Sequence, residues 1–360
     1  MFAPIVLRFL PFVFLLFVSV YAGRRYSIQP VPRLLLFLFM VTIVIAIAMF
    51  PEELNYDKPR YTSMYRLVSA YSLAALEFKD IGWPIYVYMC AKLFGGNVGL
   101  FYFLTSFLYV GGYYIFAKHF FGKQYVGYFI ILSAGCLGFG AYGINTIRAG
   151  LALSLLLVSI TMYDKKSVKY ILLSCLLAFF AILIHKSMAI PVVGFVLSLL
   201  IKNLKIVIAI WVICLLASVA SVDLSALFEM FGFVDERIGI YIEGASEVSS
   251  YRSGFRIDFI IYSLVPLLLS LYFVKKKKIS DDFSQQLLRM YIIVNAVWLL
   301  AIRIHYSDRL AYLSWFLIPA MVLLPITKSQ GNIKSPQNVL LLVMYLFISL
   351  PLLLSLRDVL

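Results

Sequence analysis

The stretch DKKSVKYILLSCLLAFFAILIHKS, residues 164–187, decides the fold. From Tyr170 to Ile184 it carries no charge, with Lys165, Lys166 and Lys169 before it and His185-Lys186-Ser187 after it. An uncharged run with no polar face suits a helix in lipid better than one against water. The same alternation recurs outward in both directions. The 360 residues are 63% hydrophobic, with a mean hydropathy of +0.97. Spans are predicted near 3–21, 34–50, 98–117, 125–143, 147–163, 170–185, 187–201, 206–222, 257–274, 287–302, 310–326 and 337–356. The expected fold class is therefore all-α: one polytopic integral membrane domain over 1–360, with about twelve transmembrane helices.

The basic residues orient these spans. Predicted inner loops at 22–33, 118–124, 164–169, 202–205, 275–286 and 327–336 each hold at least two lysines or arginines. With both termini outside, 13 of the 17 lysines fall on the inner side and ten of the 14 arginines on or near the other. Lysine follows the positive-inside rule and arginine opposes it. Topology alone gives no reason to gather Arg148, Arg252, Arg256, Arg303 and Arg309 on an outer face. A planar anion such as a phosphate or pyrophosphate does, because guanidinium forks match its oxygens.

A net charge of +14 points to nucleic acid or an acidic membrane surface. The lysine-rich inner loops account for much of it, and no basic soluble domain is left to bind nucleic acid. Cys90, Cys136, Cys175 and Cys214 lie in or beside apolar runs without paired spacing. They read as small buried hydrophobes rather than disulfide or metal partners. The run from Ala3 to Ala22 is followed, not preceded, by Arg24 and Arg25, so it reads as a retained first span entering from outside.

Two outer stretches exceed simple turns. Residues 51–96 form an outer loop containing Trp83-Pro84-Ile85-Tyr86-Val87-Tyr88-Met89, too short to span and expected as an interfacial or re-entrant helix, with Trp83, Tyr86 and Tyr88 at headgroup depth. Residues 223–256 form a long outer loop with Asp235, Glu236, Glu243 and Glu247 ahead of Arg252 and Arg256. Long polar segments on a compact membrane domain usually carry function.

Several outer groups have the chemistry for a site. Asn145-Thr146-Ile147-Arg148 lies at a turn between two spans, where an ionisable group is costly and marks function, unless it snorkels. His185 offers a hydrogen bond or a proton carrier, or it simply caps a helix end. Arg252 and Arg256, four apart around Gly254, suit a diphosphate, although Arg256 can equally pair with Asp258. Arg303, His305, Asp308 and Arg309 bring cation, imidazole and carboxylate together, or form an ion network at helix ends. Glu77, His305 and Asp308 are candidates for a general base that takes the proton of an attacking hydroxyl. Arg60 and Asn145 are further substrate-binding candidates. The three histidines are far apart and there is no paired-aspartate motif on the outside, so neither a metal nor a cofactor is expected.

In order and spacing, these pieces resemble the EpsG family, a branch of the Wzy-type polysaccharide polymerases. The resemblance rests on Glu77 ahead of Gly82-Trp83, Asn145-Thr146-Ile147-Arg148-Ala149-Gly150-Leu151-Ala152, His185-Lys186-Ser187, Gly254-Phe255-Arg256-Ile257-Asp258, and Asp308-Arg309. It covers about Pro51 to Pro319. It implies a membrane glycosyltransferase similar to other lipid-donor (GT-C-like) enzymes, polymerising O-antigen, capsule or exopolysaccharide repeat units. The implied carrier is undecaprenyl-diphosphate, the implied location the outer face of a bacterial inner membrane, and the implied partner a chain-length co-polymerase. An O-antigen ligase and a flippase for the same lipid-linked sugar are the competing readings. The one-sided arginines argue against the flippase, whose cavity must open to both faces.

Overall fold

In lipid a segment must satisfy its own backbone hydrogen bonds, which a helix does within itself. The computed structural model describes residues 2–22, 27–55, 57–70, 81–221, 254–277, 281–303, 307–328 and 333–357, and these contain helices and no strand. In chain order the α-helices are α1 Phe2–Ala22, α2 Arg33–Ala48, α3 Lys58–Ala70, α4 Gly82–Leu93, α5 Val98–Gly135, α6 Leu137–Ile144, α7 Ile147–Asp164 and α8 Val168–Ile184. They continue as α9 Ala189–Leu200, α10 Leu204–Val219, α11 Ile257–Lys277, α12 Asp282–Leu300, α13 Asp308–Trp315, α14 Ile318–Lys328 and α15 Pro336–Arg357.

Among the described residues, Val98–Gly135, Ile147–Asp164, Ile257–Val274 and Asp308–Lys328 are long and apolar enough to cross a bilayer. Shorter apolar helices cover Phe9–Ala22, Arg33–Ala48, Val168–Ile184, Lys186–Leu200, Leu204–Val219 and Pro336–Leu350. Large exposed apolar side chains such as Leu34, Phe37, Leu172, Phe179, Ile213 and Leu216 stud these helices. A water-soluble surface does not tolerate such faces, and a bilayer requires them. The chain is an all-helical, multi-pass membrane protein.

Two predicted spans differ in detail. The expected helix over 125–143 breaks at Cys136, whose backbone is extended, so α6 is a separate short helix. The sequence there holds Gly135, Gly138, Gly140 and Gly143, each a weak helix former. The run 310–326 is divided between α13 and α14, where Pro319 lacks a backbone donor near the start of the second piece. Between the predicted spans 98–117 and 125–143 there is hardly a loop. Gly122, with φ of +66°, reverses the chain inside α5 in a backbone conformation that only glycine adopts freely. Cys90 and Cys136 are buried as expected, whereas Cys175 is exposed on an outward face of α8.

The chain divides into two compact units, residues 1–188 with 330–360 and residues 189–329. In the first, α5, α7 and α8 pack side by side, with α1, α2 and α15 against α5. Glycine permits the close approaches. A Cβ at Gly112 would lie 2.5 Å from Ser154 Cβ and 2.7 Å from its Cα, and one at Gly127 would lie 2.6 Å from Val31. Small residues do this in membranes because apolar helices gain little there from hydrophobicity and depend on backbone proximity. A polar knot closes one end: Tyr128 donates to the Gln29 carbonyl at 2.6 Å, and Gln337 Oε1 accepts from the Gln29 amide at 2.9 Å.

The second unit is organised around α12, which packs against α9, α10 and α13. Asn295 is its polar centre. Its Oδ1 accepts from the Trp211 indole at 2.8 Å, and its Nδ2 donates to Ser314 Oγ at 3.0 Å and Ser263 Oγ at 3.2 Å. Trp315 donates to the same Ser263 hydroxyl at 2.7 Å. Four helices thus share one buried hydrogen-bond network, which fixes their register in a way an apolar seam cannot.

Gly112→Val pushes against Ser154 backbone and is expected to cost about 1–3 kcal/mol. Gly111→Ala, whose Cβ meets nothing within 4 Å, is expected to keep stability or raise it by up to about 1 kcal/mol. Thermal unfolding of both variants in detergent checks this pair. A second outcome concerns pH. Burial pushes the Asp281 carboxyl up, but hydrogen bonds from the Ser284 hydroxyl and amide, with the Lys328 ammonium, outweigh it and hold the group below the usual carboxylate range. Because the folded value is depressed, this contribution is full above the unfolded value of about 4 and is lost as pH falls through the folded one. Asp281→Asn keeps the capping oxygen but loses the charge, and is expected to lower neutral-pH stability by about 0.3–1 kcal/mol, the worth of a carboxylate at a helix N-terminus, and to flatten the acid limb of a stability–pH curve.

Candidate functional site

The first unit places Asn145, Arg148 and His185 at one end. α7 and α8 form an antiparallel hairpin, so the start of one lies beside the end of the other, and residues 186–188 contact α7. Arg148 is half-buried in the first turn of α7, Asn145 is exposed in the turn before it, and His185 is half-buried just past the last turn of α8. Two glycines admit these helix ends to one another. A Cβ on Gly150 would lie 2.4 Å from the Tyr142 carbonyl oxygen. One on Gly82 would lie 2.8–2.9 Å from the backbone of Leu183 and Ile184. Both neighbours are backbone and cannot yield, so the first turns of α7 and α4 seat only with glycine there.

A polar chain that the sequence did not announce anchors the same end. Buried Asn55 donates through Nδ2 to the Ile144 carbonyl at 2.8 Å, at the end of α6 and directly before Asn145. Its Oδ1 accepts from the Asp57 and Lys58 amides at 2.9 and 3.1 Å, capping the start of α3. Lys58 is buried with its ammonium over the Tyr102 ring at 4.4 Å, donating to the Ala48 carbonyl at 2.9 Å and to that of Phe50. Burial pushes that ammonium below its ordinary value, and Glu52 and Glu53 act in the opposite direction. Thr62 donates to Glu52 at 2.6 Å and lies 2.9 Å from the Tyr102 hydroxyl, which donates to the Lys58 carbonyl at 3.0 Å. Glu52 is therefore engaged, not merely a solvated loop charge. Arg60, in the first turn of α3, is exposed. Trp83 is buried against Tyr61, Tyr86 and Phe101, so it packs within the protein.

The second unit gathers Arg256, Arg303, Asp308 and Arg309. Arg256 grips Asp258 with two hydrogen bonds, 2.9 Å from Nε and 2.7 Å from Nη2, and its guanidinium lies 3.7 Å from the centre of the Phe259 ring. Phe259 meets Trp315 edge-on, and Trp315 in turn meets Tyr312. Tyr312 donates to Asp308 at 2.7 Å, so a contiguous path runs from the arginine to the candidate base. Arg303 is exposed; it donates to the Ser218 carbonyl at 3.3 Å, in the last turn of α10, and lies 5.2 Å from the Phe255 ring. It thus caps a helix end and stands beside the Arg256 segment. Arg309 is exposed in the first turn of α13.

Glu77, Arg252 and His305 lie outside the described residues. Of the alternatives the sequence left open, the Arg256–Asp258 pair is formed. Sequence reasoning missed Asn55 and Tyr312. Tyr312 is four residues after Asp308 on a helix, a spacing that brings side chains together and was legible. Asn55 carried a turn-and-cap signal, but nothing local revealed its bond to a carbonyl 89 positions away.

Comparison with known proteins places the sequence in a family. No curated protein and no solved structure matches the chain. The family model described as the EpsG family matches residues 33–359, which include every residue of both clusters. With nearly its whole length so matched, the chain belongs to the EpsG family.

Proposed function

We propose that this protein polymerises lipid-linked oligosaccharide repeat units of an O-antigen, capsule or exopolysaccharide. The glycan passes from undecaprenyl-diphosphate to a sugar hydroxyl of the next lipid-linked unit, on the outer face of the bacterial inner membrane. Family membership supports a polysaccharide polymerase. The observation that carries the chemistry is Arg256, clamped by Asp258 and seated on Phe259 beside Arg303. A guanidinium fixed in this way needs little reorganisation when a leaving diphosphate develops charge, and it supplies that charge stabilisation without a metal. Arg148 in the first unit, and Arg252, Arg303 and Arg309, are the other proposed phosphate partners; Arg60, Asn145 and His185 are proposed to contact the remaining substrate.

The reaction breaks the anomeric carbon–oxygen bond to the diphosphate and forms one to the attacking hydroxyl, whose proton goes to a carboxylate or imidazole. Glu77, His305 and Asp308 are the proposed acceptors. Asp308 is the one whose surroundings are described, and the Tyr312 hydroxyl, donating to its carboxylate at 2.7 Å, holds that carboxylate in place. A chain-length co-polymerase is the proposed partner.

Surface glycan from a host strain lacking the gene, complemented with variants and run as a ladder, tests this. Deletion is expected to abolish the ladder and leave the single-repeat band. Loss of that band as well points to a flippase or ligase and ends the polymerase reading. Arg256→Lys keeps the charge and loses the fork, which at about 1.5–3 kcal/mol for a charge-assisted bond is expected to reduce long polymer roughly tenfold or more. A wild-type ladder from Arg256→Lys removes the bidentate role. Asn55→Ala, which releases the Ile144 carbonyl, is expected to weaken the ladder several-fold at unchanged protein level, following a loss of about 1 kcal/mol.

A further inference from the structure

A buried charge in the second unit takes no part in the proposed chemistry. Arg289, in α12, is 3% exposed, and α12 runs from there toward the end that carries Arg303 and Asp308. Its Nε donates to the Ser198 carbonyl at 3.0 Å, capping the last turn of α9. Its Nη2 lies 3.8 Å from Asp282, beyond hydrogen-bond reach, and that carboxylate is 81% exposed. The cap uses one of five guanidinium donors, and a helix end stabilises a cation only modestly. Burying an ion costs far more than that even after relaxation. The solvated aspartate does not close that gap. Three residues earlier, on the same helical face, Gln286 is 5% exposed, and its Nε2 is buried without a hydrogen-bond partner.

A buried guanidinium beside an orphaned amide donor calls for an acceptor with several oxygens and a negative charge. We propose that Arg289 and Gln286 hold a phosphate group, and that this phosphate is the headgroup of an anionic phospholipid. Two features favour a lipid over the free ion. The guanidinium edge facing Asp282 leads to the surface, so a headgroup need not pass through the interior. On α9, whose Ser198 carbonyl Arg289 holds, Val193, Val196 and Leu200 are 53%, 47% and 72% exposed and offer an apolar track for acyl chains. Asp282 opposes the anion and sets its affinity. Exposed Lys202 and Lys205 just beyond α9 draw anionic lipid toward this end, without being the site.

The test titrates phosphatidylglycerol, phosphatidylcholine or inorganic phosphate into the full-length protein in mild detergent, reading thermal stability and lipid retained by native mass spectrometry. Phosphatidylglycerol alone is expected to stabilise. Its midpoint should weaken about tenfold in Arg289→Gln and several-fold in Gln286→Leu, given about 1.5–3 kcal/mol for a charge-assisted bond and about 1 for a neutral one. Asp282→Asn, which removes no buried group, should bind more tightly, and Lys202→Gln should stay within about twofold, as an exposed charge does. If Arg289→Gln does not fold, the other three variants decide. Equal stabilisation by phosphatidylcholine, or a Lys202→Gln loss as large as that of Gln286→Leu, overturns the site. Equal protection by inorganic phosphate overturns the lipid assignment. Neither measurement depends on polymer formation, so the site stands or falls apart from the proposed enzyme activity.

Discussion

A charge brought to the edge of an apolar helix loses its water and must be given something in return, and this constraint runs through the whole chain. Lys58 meets it with carbonyls at the end of α2 and the face of Tyr102. Arg303 meets it with a carbonyl in the last turn of α10, and Arg256 with the carboxylate of Asp258. In three of the four described cases, counting Arg289, the partner is the frayed carbonyl end of a helix, which a membrane protein supplies wherever a span stops. The cation and the helix end satisfy each other, so fixing the ends of spans also fixes the basic groups.

The second constraint is proximity. Helices in lipid gain little from hydrophobicity, and here they meet through glycine, at Gly112 against Ser154 and at Gly194 against Val294. The same device acts at the candidate site, where Gly82 and Gly150 admit backbone rather than side chains. The glycines that help identify the family are thus explained by packing at the end where Arg148 and His185 emerge.

Much of this was legible in the sequence, because lipid reduces the choice to apolar runs and the charges between them. Helices α2, α7, α8 and α11 start within a few residues of expectation, since a Lys or Arg lies at or within two residues of each start. The break at Cys136 was missed because a glycine-rich apolar run reads the same whether continuous or divided. At the site, residue types were legible and partners only in part. Arg256 with Asp258 is a neighbouring pair visible from spacing, whereas the Asn55 bond to Ile144 and the Asn295 network join distant segments, which no local pattern encodes.

The grip of Asp258 on Arg256 has a consequence for timing. An arginine that meets an anion with its carboxylate already in hand exchanges contacts instead of only gaining them, so its net hold on a diphosphate is modest. Weak net binding shows chiefly as fast release, because affinity within one interface is set mostly by departure rate. Under the function proposed above, in which a spent carrier is discharged after each added repeat, the clamp would act as a timer: firm enough to orient the leaving group and loose enough to free the lipid before the next unit arrives.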